Sequence, residues 1–248
     1  MLTNECVVAI TGATAGIGRA CVDLLMSRGI KVIALGRRTD RLNALTDLYG
    51  SDKLLAVTCD VRDEQSIQTA IDNIPSAFRP VSTLINNAGL IQGSGSLDEL
   101  DSKDIEAMLL TNIFGVVNMT RLFLPDLYKA KSAHVVNVSS IGAFYHYKNG
   151  HIYAASKAFV QHFGRCLSVD LAEKNVRVTN IAPGKTVSEF SLVHKKGDTE
   201  LADKVYENLT PLTADDVAKS IIWAMDQPNH VQISTIELSP ANQVLSYR

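Results

Sequence analysis

The sequence predicts an α/β protein built on one doubly wound parallel sheet of about seven strands, with helices on both faces. Three observations predict it. Short β-prone apolar runs alternate with helix-period stretches along the whole chain. The first apolar run leads straight into a glycine turn and then a helical pattern. No internal repeat, low-complexity linker or composition break divides the 248 residues, so residues 1–248 are expected to form a single domain.

Taken in order, Cys6 to Ile10 is the first strand. Thr11-Gly12-Ala13-Thr14-Ala15-Gly16-Ile17-Gly18 follows, and Cys21, Leu24 and Leu25 open a helical stripe. Glycines here let the backbone turn tightly and approach a phosphate, and the helix start offers N–H groups to an anion. A tight strand-to-helix turn with no ligand is the plainer reading. Lys31 to Leu35 is the second strand, ending at Gly36-Arg37-Arg38. Dinucleotide folds place an acid near this point for the 2′-hydroxyl of NAD. Two arginines stand there instead, which suits the 2′-phosphate of NADP; otherwise they are solvated side chains at a helix start. The next helix is read with Thr39 as N-cap, Leu42, Leu45 and Tyr49 on one face, and Gly50 as stop.

Leu54 to Thr58 is the third strand. Asp60 beyond it can accept from an adenine amino group, or can cap the helix striped by Ile67, Ile71 and Ile74. Pro75 and Pro80 bracket a loop. Val81 to Ile85 is the fourth strand, running into Asn86-Asn87-Ala88-Gly89, small residues that leave room at the carboxyl end of the sheet. A long helix is expected from about Lys103 to Tyr128, with Asn112 among apolar neighbours. Ala133 to Val138 is the fifth strand, ending at Ser139-Ser140. A helix through Tyr153 runs to about Glu173. Val176 to Ile181 is the sixth strand, ending at Pro183-Gly184. Residues 187–212 read as a partly helical substrate lid rich in charge. Thr213 opens a helix with a capping box to Asp216, and Gln232 to Leu238 is the last strand before a polar tail.

Composition narrows the function classes. The formal net charge is −2 and 46% of residues are hydrophobic, so no nucleic-acid footprint is visible and a sizeable core is available. No apolar stretch is read as long enough to span a membrane, and the N-terminus lacks the basic start of a signal peptide. Cys6, Cys21, Cys59 and Cys166 are scattered and are expected to be small buried residues in a reducing, cytoplasmic compartment. The six histidines have no metal-ligand spacing, so no metal is expected.

Tyr153 and Lys157 stand four residues apart and share a face if helical. A nearby cation favours phenolate and would lower the tyrosine pKa, making the pair able to move a proton on and off an alcohol oxygen. A core aromatic beside a solvated lysine has the same spacing.

Together these marks resemble the short-chain dehydrogenase/reductases over essentially the whole chain, through Thr11-Gly12-x-x-x-Gly16-Ile17-Gly18, Asp60, Asn86-Asn87-Ala88-Gly89, Asn112, Ser140, Tyr153-x-x-x-Lys157 and Pro183-Gly184. The resemblance implies a Rossmann-like fold and a tetrad of Asn112, Ser140, Tyr153 and Lys157. Ser140, rather than Ser139, stands at the family's usual interval of thirteen from the tyrosine. Tyr153 would exchange the proton, Lys157 would hold the nicotinamide ribose, Ser140 would bond the reacting oxygen, and Asn112 would order a water. The cofactor contacts implied are Gly12, Thr14, Ala15, Gly16, Ile17 and Gly18 in the turn, then Arg37 and Arg38 at the 2′-phosphate. Asp60 and Val61 would lie at adenine. Asn87 and Gly89, with Ala88 between them, would follow the adenosine ribose, and Thr186 and Ser188, after Pro183 and Gly184, would lie near the carboxamide and pyrophosphate.

Gly36-Arg37-Arg38, Glu189-Phe190-Ser191 and Leu212-Thr213-x-Asp215-Asp216-Val217 are similar to bacterial NADP-dependent 3-hydroxy acid dehydrogenases, which are tetramers acting on serine and L-allo-threonine. That likeness implies NADP(H), a small-molecule substrate (a small 3-hydroxy acid or its keto form) and a homotetramer; the alternatives are an NADPH-dependent reductase of another carbonyl class, such as a 3-oxoacyl thioester, diketone or aldehyde, and a dinucleotide-binding sensor without turnover. Lys185, in a loop shorter and more polar than usual there, is a candidate partner for a substrate carboxylate.

Overall fold

The computed structural model describes residues 2–93, 95–190, 198–200 and 206–245. Seven parallel strands form one sheet in the order β3-β2-β1-β4-β5-β6-β7. They are β1 Val7–Thr11, β2 Lys31–Gly36, β3 Leu54–Thr58, β4 Thr83–Asn86, β5 Ala133–Val138, β6 Val176–Pro183 and β7 Thr235–Leu238. The strand order reverses between β1 and β4, and a crevice opens there at the carboxyl ends of the strands.

Period-two alternation sends each strand's side chains to two cores. Val8, Ile10, Val32 and Ala34 pack on one face beneath α1 (Gly16–Ser27), α2 (Thr39–Tyr49) and α7 (Ala214–Met225). Val7, Ala9, Ile33 and Leu35 pack on the other beneath α3 (Glu64–Asp72) and α5 (Gly115–Leu127). α4 (Ser102–Leu109) precedes α5, and α6 (His151–Asp170) carries Tyr153 and Lys157.

Several expectations shift. The long helix forms, but Leu110–Phe114 widen it into a π-turn closed by Gly115 N–H donating to Leu110 O. The combined helix Ser102–Leu127 reaches a mean hydropathy of 1.4, so one segment does have the length and apolarity of a membrane span. Met119, Phe123 and Leu127 place it against the sheet, with all three fully buried. α6 ends at Asp170 rather than near Glu173, and a short 3₁₀ turn over Ala172–Lys174 leads to Asn175 in the left-handed region. β7 starts at Thr235, not Gln232, because side chains replace its first ladder bonds: Gln232 accepts from Val178 N, and Thr179 Oγ1 donates to Ile233 O at 2.7 Å.

Arg38, not Thr39, is the N-cap of α2, and the Thr39 hydroxyl lies 3.4 Å from that of Thr58 instead. Asp63, not Asp60, caps α3 by accepting from Gln65 N. The box expected at Thr213 and Asp216 is present. Cys21 and Cys59 are buried, whereas Cys166 is exposed and Cys6 half-buried, so the four are not uniformly core residues. Of the expected lid, residues 191–197 and 201–205 lie outside the described residues; Val187 N bonds to Leu212 O at 2.8 Å across its base.

Candidate active site

A cleft of about 1060 Å³ follows the crevice from the end of β2 to α6. Its floor is fixed by hydrogen bonds between neighbouring strand ends. Thr11 Oγ1 accepts from Asn87 N and Ala88 N at 3.0 and 2.9 Å, and Asn87 Nδ2 donates to Thr11 O at 2.9 Å. The chain leaves β1 through Gly12, whose φ of +66° lies in the region that favours glycine. Thr14, Ala15, Gly16 and Ile17 then line the cleft. Among the described residues no side chain caps the first N–H groups of α1, so they are open to an anion. Gly18 stands behind the cleft wall rather than in it. A Cβ there would lie 2.5 Å from Asn87 Nδ2, so its smallness lets α1 pack against the turn.

Arg37, Arg38, Asp60 and Val61 surround the far end. Arg38 donates through Nε and Nη2 to Thr14 Oγ1 at 3.2 and 3.0 Å. Arg37 is exposed and reaches Asp60 Oδ2 at 4.0 Å. Arg62 forks onto the Asp60 carboxylate, which it holds below the usual carboxylate range, with Arg37 assisting. Glu189 bonds Arg38 at 2.8 Å and Arg41 at 2.6 Å from the segment after β6. The sequence offered no signal for that pairing.

Ser139 and Ser140 part at the end of β5. Ser139 is buried and donates to Lys157 O at 2.9 Å. Ser140 faces the cleft, where its Oγ accepts from Gly142 N at 3.1 Å. Tyr153 keeps partial exposure, but desolvation pushes its hydroxyl up to about 12, opposed only by Ser140. Burial, rather than Lys157, dominates at this hydroxyl. Lys157 Nζ is buried, donates to Val138 O at 2.9 Å and sits 5.9 Å from the ring centroid. Burial pulls Lys157 itself down to about 8, so loss of water is the leading influence on both groups.

Asn112 lies behind the cleft rather than on its wall. In the π-turn, its Oδ1 accepts from Leu90 N at 2.9 Å, and its Nδ2 donates to Leu90 O and Ser156 Oγ at 2.8 and 3.0 Å. It therefore holds the strand end beside Gly89. A Cβ on Gly89 would stand 3.0 Å from Lys157 Nζ, so a side chain at residue 89 would crowd that ammonium.

Pro183, Gly184, Thr186 and Ser188 line the opposite wall with Lys185, which is exposed. Phe190 sits 5.8 Å from the Tyr153 ring. The presumed polar tail also contributes: Gln243 Oε1 accepts from Lys185 N at 3.0 Å, and Asn242 accepts from Thr210 N at 3.2 Å. Tyr206 donates to Thr186 O at 3.0 Å. No motif marks Gln243 or Tyr206: the return of the chain after β7 brings Gln243 here, and Tyr206 reaches Thr186 from the stretch before α7.

A glycine turn at the switch point, two arginines at the second strand's end and a Ser–Tyr–Lys group across the sheet define a dinucleotide-binding cleft of the hydride-transfer class. The profile of the short chain dehydrogenase family matches residues 6–198, and the chain belongs to that family. It is 42% identical to the serine 3-dehydrogenase of Rhizobium radiobacter over 95% of this chain and 94% of that one. It is 41% identical to sulfoacetaldehyde reductase 2 of Chromohalobacter salexigens, covering 97% and 96%. The solved closed form of a serine dehydrogenase complexed with NADP+ matches with a TM-score of 0.94 and 38% identity, covering 97% of both chains.

Proposed function

We propose that this chain is an NADP(H)-dependent oxidoreductase that interconverts a small 3-hydroxy acid and its 3-oxo partner, with Tyr153 as proton donor and acceptor. The observation that carries the reading is the meeting of Ser140, Tyr153 and Lys157 in the same cleft as the uncapped α1 N-terminus and Arg37 and Arg38. A nicotinamide dinucleotide, when bound, supplies or accepts the hydride. The fit rests on the cradle: Gly12 and Gly16, at φ of +66° and +52°, turn the chain without side chains of their own where it enters the start of α1.

In this reading the turn from Gly12 to Ile17 holds the pyrophosphate, Arg37 and Arg38 the 2′-phosphate, Asp60 and Val61 the adenine, and Asn87 to Gly89 the adenosine ribose. Lys157 holds the nicotinamide ribose, and Pro183, Gly184, Thr186 and Ser188 close that side. Gly18 and Asn112 act as supports for the turn and for Leu90. Tyr153, protonated near neutral pH, donates to the carbonyl oxygen in reduction and takes the proton back in oxidation. Ser140 hydrogen-bonds the same oxygen as charge develops there.

Chemistry shared by the relatives supports the substrate class. Serine and sulfoacetaldehyde each carry an anionic group one carbon away from the reacting carbon. Lys185, on the cleft wall, suits that anion. The sulfoacetaldehyde reductase likeness also favours a second reading, reduction of an anionic aldehyde. Turnover assays across 3-hydroxy acids and anionic aldehydes, with NADP(H) and NAD(H) in parallel, separate the two. No turnover of either class with either cofactor would remove both.

The unit of action in this reading is one domain over residues 1–248 with 187–212 as a substrate lid, working in the cytoplasm as a homotetramer. Exposed apolar side chains at Phe114 and Phe159, the latter stacked on Phe163 at 5.9 Å, support association of copies. Light scattering on the purified chain tests it.

A further inference from the structure

The segment after β6 reaches across the cleft mouth to the arginines at the end of β2. Glu189 Oε2 lies 2.8 Å from Nη1 of Arg38, and both its oxygens accept from Nη1 of Arg41, at 2.6 and 2.8 Å. A carboxylate thus already rests on a cation that the NADP reading assigns to a phosphate. Arg38 keeps Nε and Nη2 on Thr14, so its guanidinium stays anchored whichever anion Nη1 meets. Each partner keeps 40–43% side-chain exposure, so the pairing is weak enough to exchange. A carboxylate and a phosphate dianion cannot both sit there without repulsion. Asp60, another acid lining this end of the cleft, is engaged by Arg62.

We propose that Glu189 is a specificity-determining competitor for the 2′-phosphate, occupying Arg38 and Arg41 until the phosphate displaces it. Loading then exchanges one anion for another and releases the Glu189 end of the segment that also lines the cleft through Thr186 and Ser188. The inference rests on the NADP(H) reading above.

The test compares wild type with Glu189→Gln, titrating NADPH, NADH, 2′,5′-ADP and ADP against each. Glu189→Gln is expected to bind NADPH and 2′,5′-ADP about 3- to 10-fold more tightly. NADH and ADP, which lack the phosphate, are expected to stay within about twofold. Unchanged or weaker NADPH binding overturns the inference, as does equal tightening of all four ligands, which would mark Glu189 as a purely structural contact. A wild type that binds NADPH no better than NADH sinks the NADP(H) reading and the inference together. A wild type that prefers NADPH while the variant behaves identically sinks the inference alone.

Discussion

Ser139 and Lys157 hold the end of β5 to α6. The serine hydroxyl donates to the lysine carbonyl at 2.9 Å, while the lysine ammonium donates to Val138 O at the same distance. One residue further on, Ser140 turns away from this bracket toward the cleft. Adjacent serines therefore carry separable duties. Ser139→Ala should lower unfolding stability by about 1 kcal/mol, the net worth of one buried hydrogen bond, with a small effect on turnover. Ser140→Ala should leave stability within about 0.5–1 kcal/mol and lower kcat by about 100-fold, as loss of one oxyanion donor does. Thermal melts beside steady-state rates decide the assignment, and the reverse pattern would exchange the two roles.

The elevated tyrosine pKa fixes the sign of the pH dependence. With Tyr153 near 12, the acid form predominates throughout the neutral range. Carbonyl reduction, which uses that acid, should be nearly level from about pH 6 to 8. Alcohol oxidation needs the phenolate, so its rate should climb toward about tenfold per pH unit over the same range. The climb should bend near pH 8, where Lys157 loses its charge. An oxidation rate that peaks in acid and falls through neutrality would mean another group carries the proton.

Lys157 trades stability for chemistry. Its folded value near 8 lies below the ordinary 10.5. Between those values the unfolded chain binds more protons, so stability falls as pH drops from the higher to the lower, and the penalty is complete below it. Lys157→Met removes a buried cation and should raise Tm at neutral pH by about 3–8 °C. The gain should fade toward about pH 10, while turnover drops by at least about 100-fold. A lower Tm at neutral pH would show that the bond to Val138 O outweighs desolvation.

What could be read ahead of the structure was local in the chain. The glycine turn, the arginines after β2, the strand-end asparagines and the Tyr153–Lys157 pair each lie within a few residues, and strand-to-helix alternation ordered them around one crevice. What escaped depends on distant partners. Glu189 meets Arg38 across 151 positions, and Gln243 reaches Lys185 only because β7 returns beside β6. The spacing of Tyr153 and Lys157 reveals a nearby cation but not how completely both groups lose water. Asn112 was visible as an odd amide in an apolar helix, yet its partner Leu90 lies 22 positions away.

That partnership gives a last prediction. Asn112 satisfies both backbone groups of Leu90, the residue after Gly89, without lining the cleft itself. Asn112→Ala leaves a part-buried N–H and carbonyl without their amide, at a cost of about 2–4 kcal/mol. The π-turn also loses its link to Ser156 on α6. The loss should be local as well as global: the Leu90 amide should exchange with solvent faster than amides in β1 or β5 under conditions where the fold persists. Because Gly89 abuts Lys157 Nζ, loosening Leu90 should weaken cofactor binding and lower kcat together. Asn112→Asp, which keeps the acceptor for Leu90 N but loses the donor to Leu90 O and Ser156, should recover only part of the stability. If Leu90 exchange is unchanged in Asn112→Ala, Asn112 does not act through that backbone, and a direct role at the reacting centre becomes the better account.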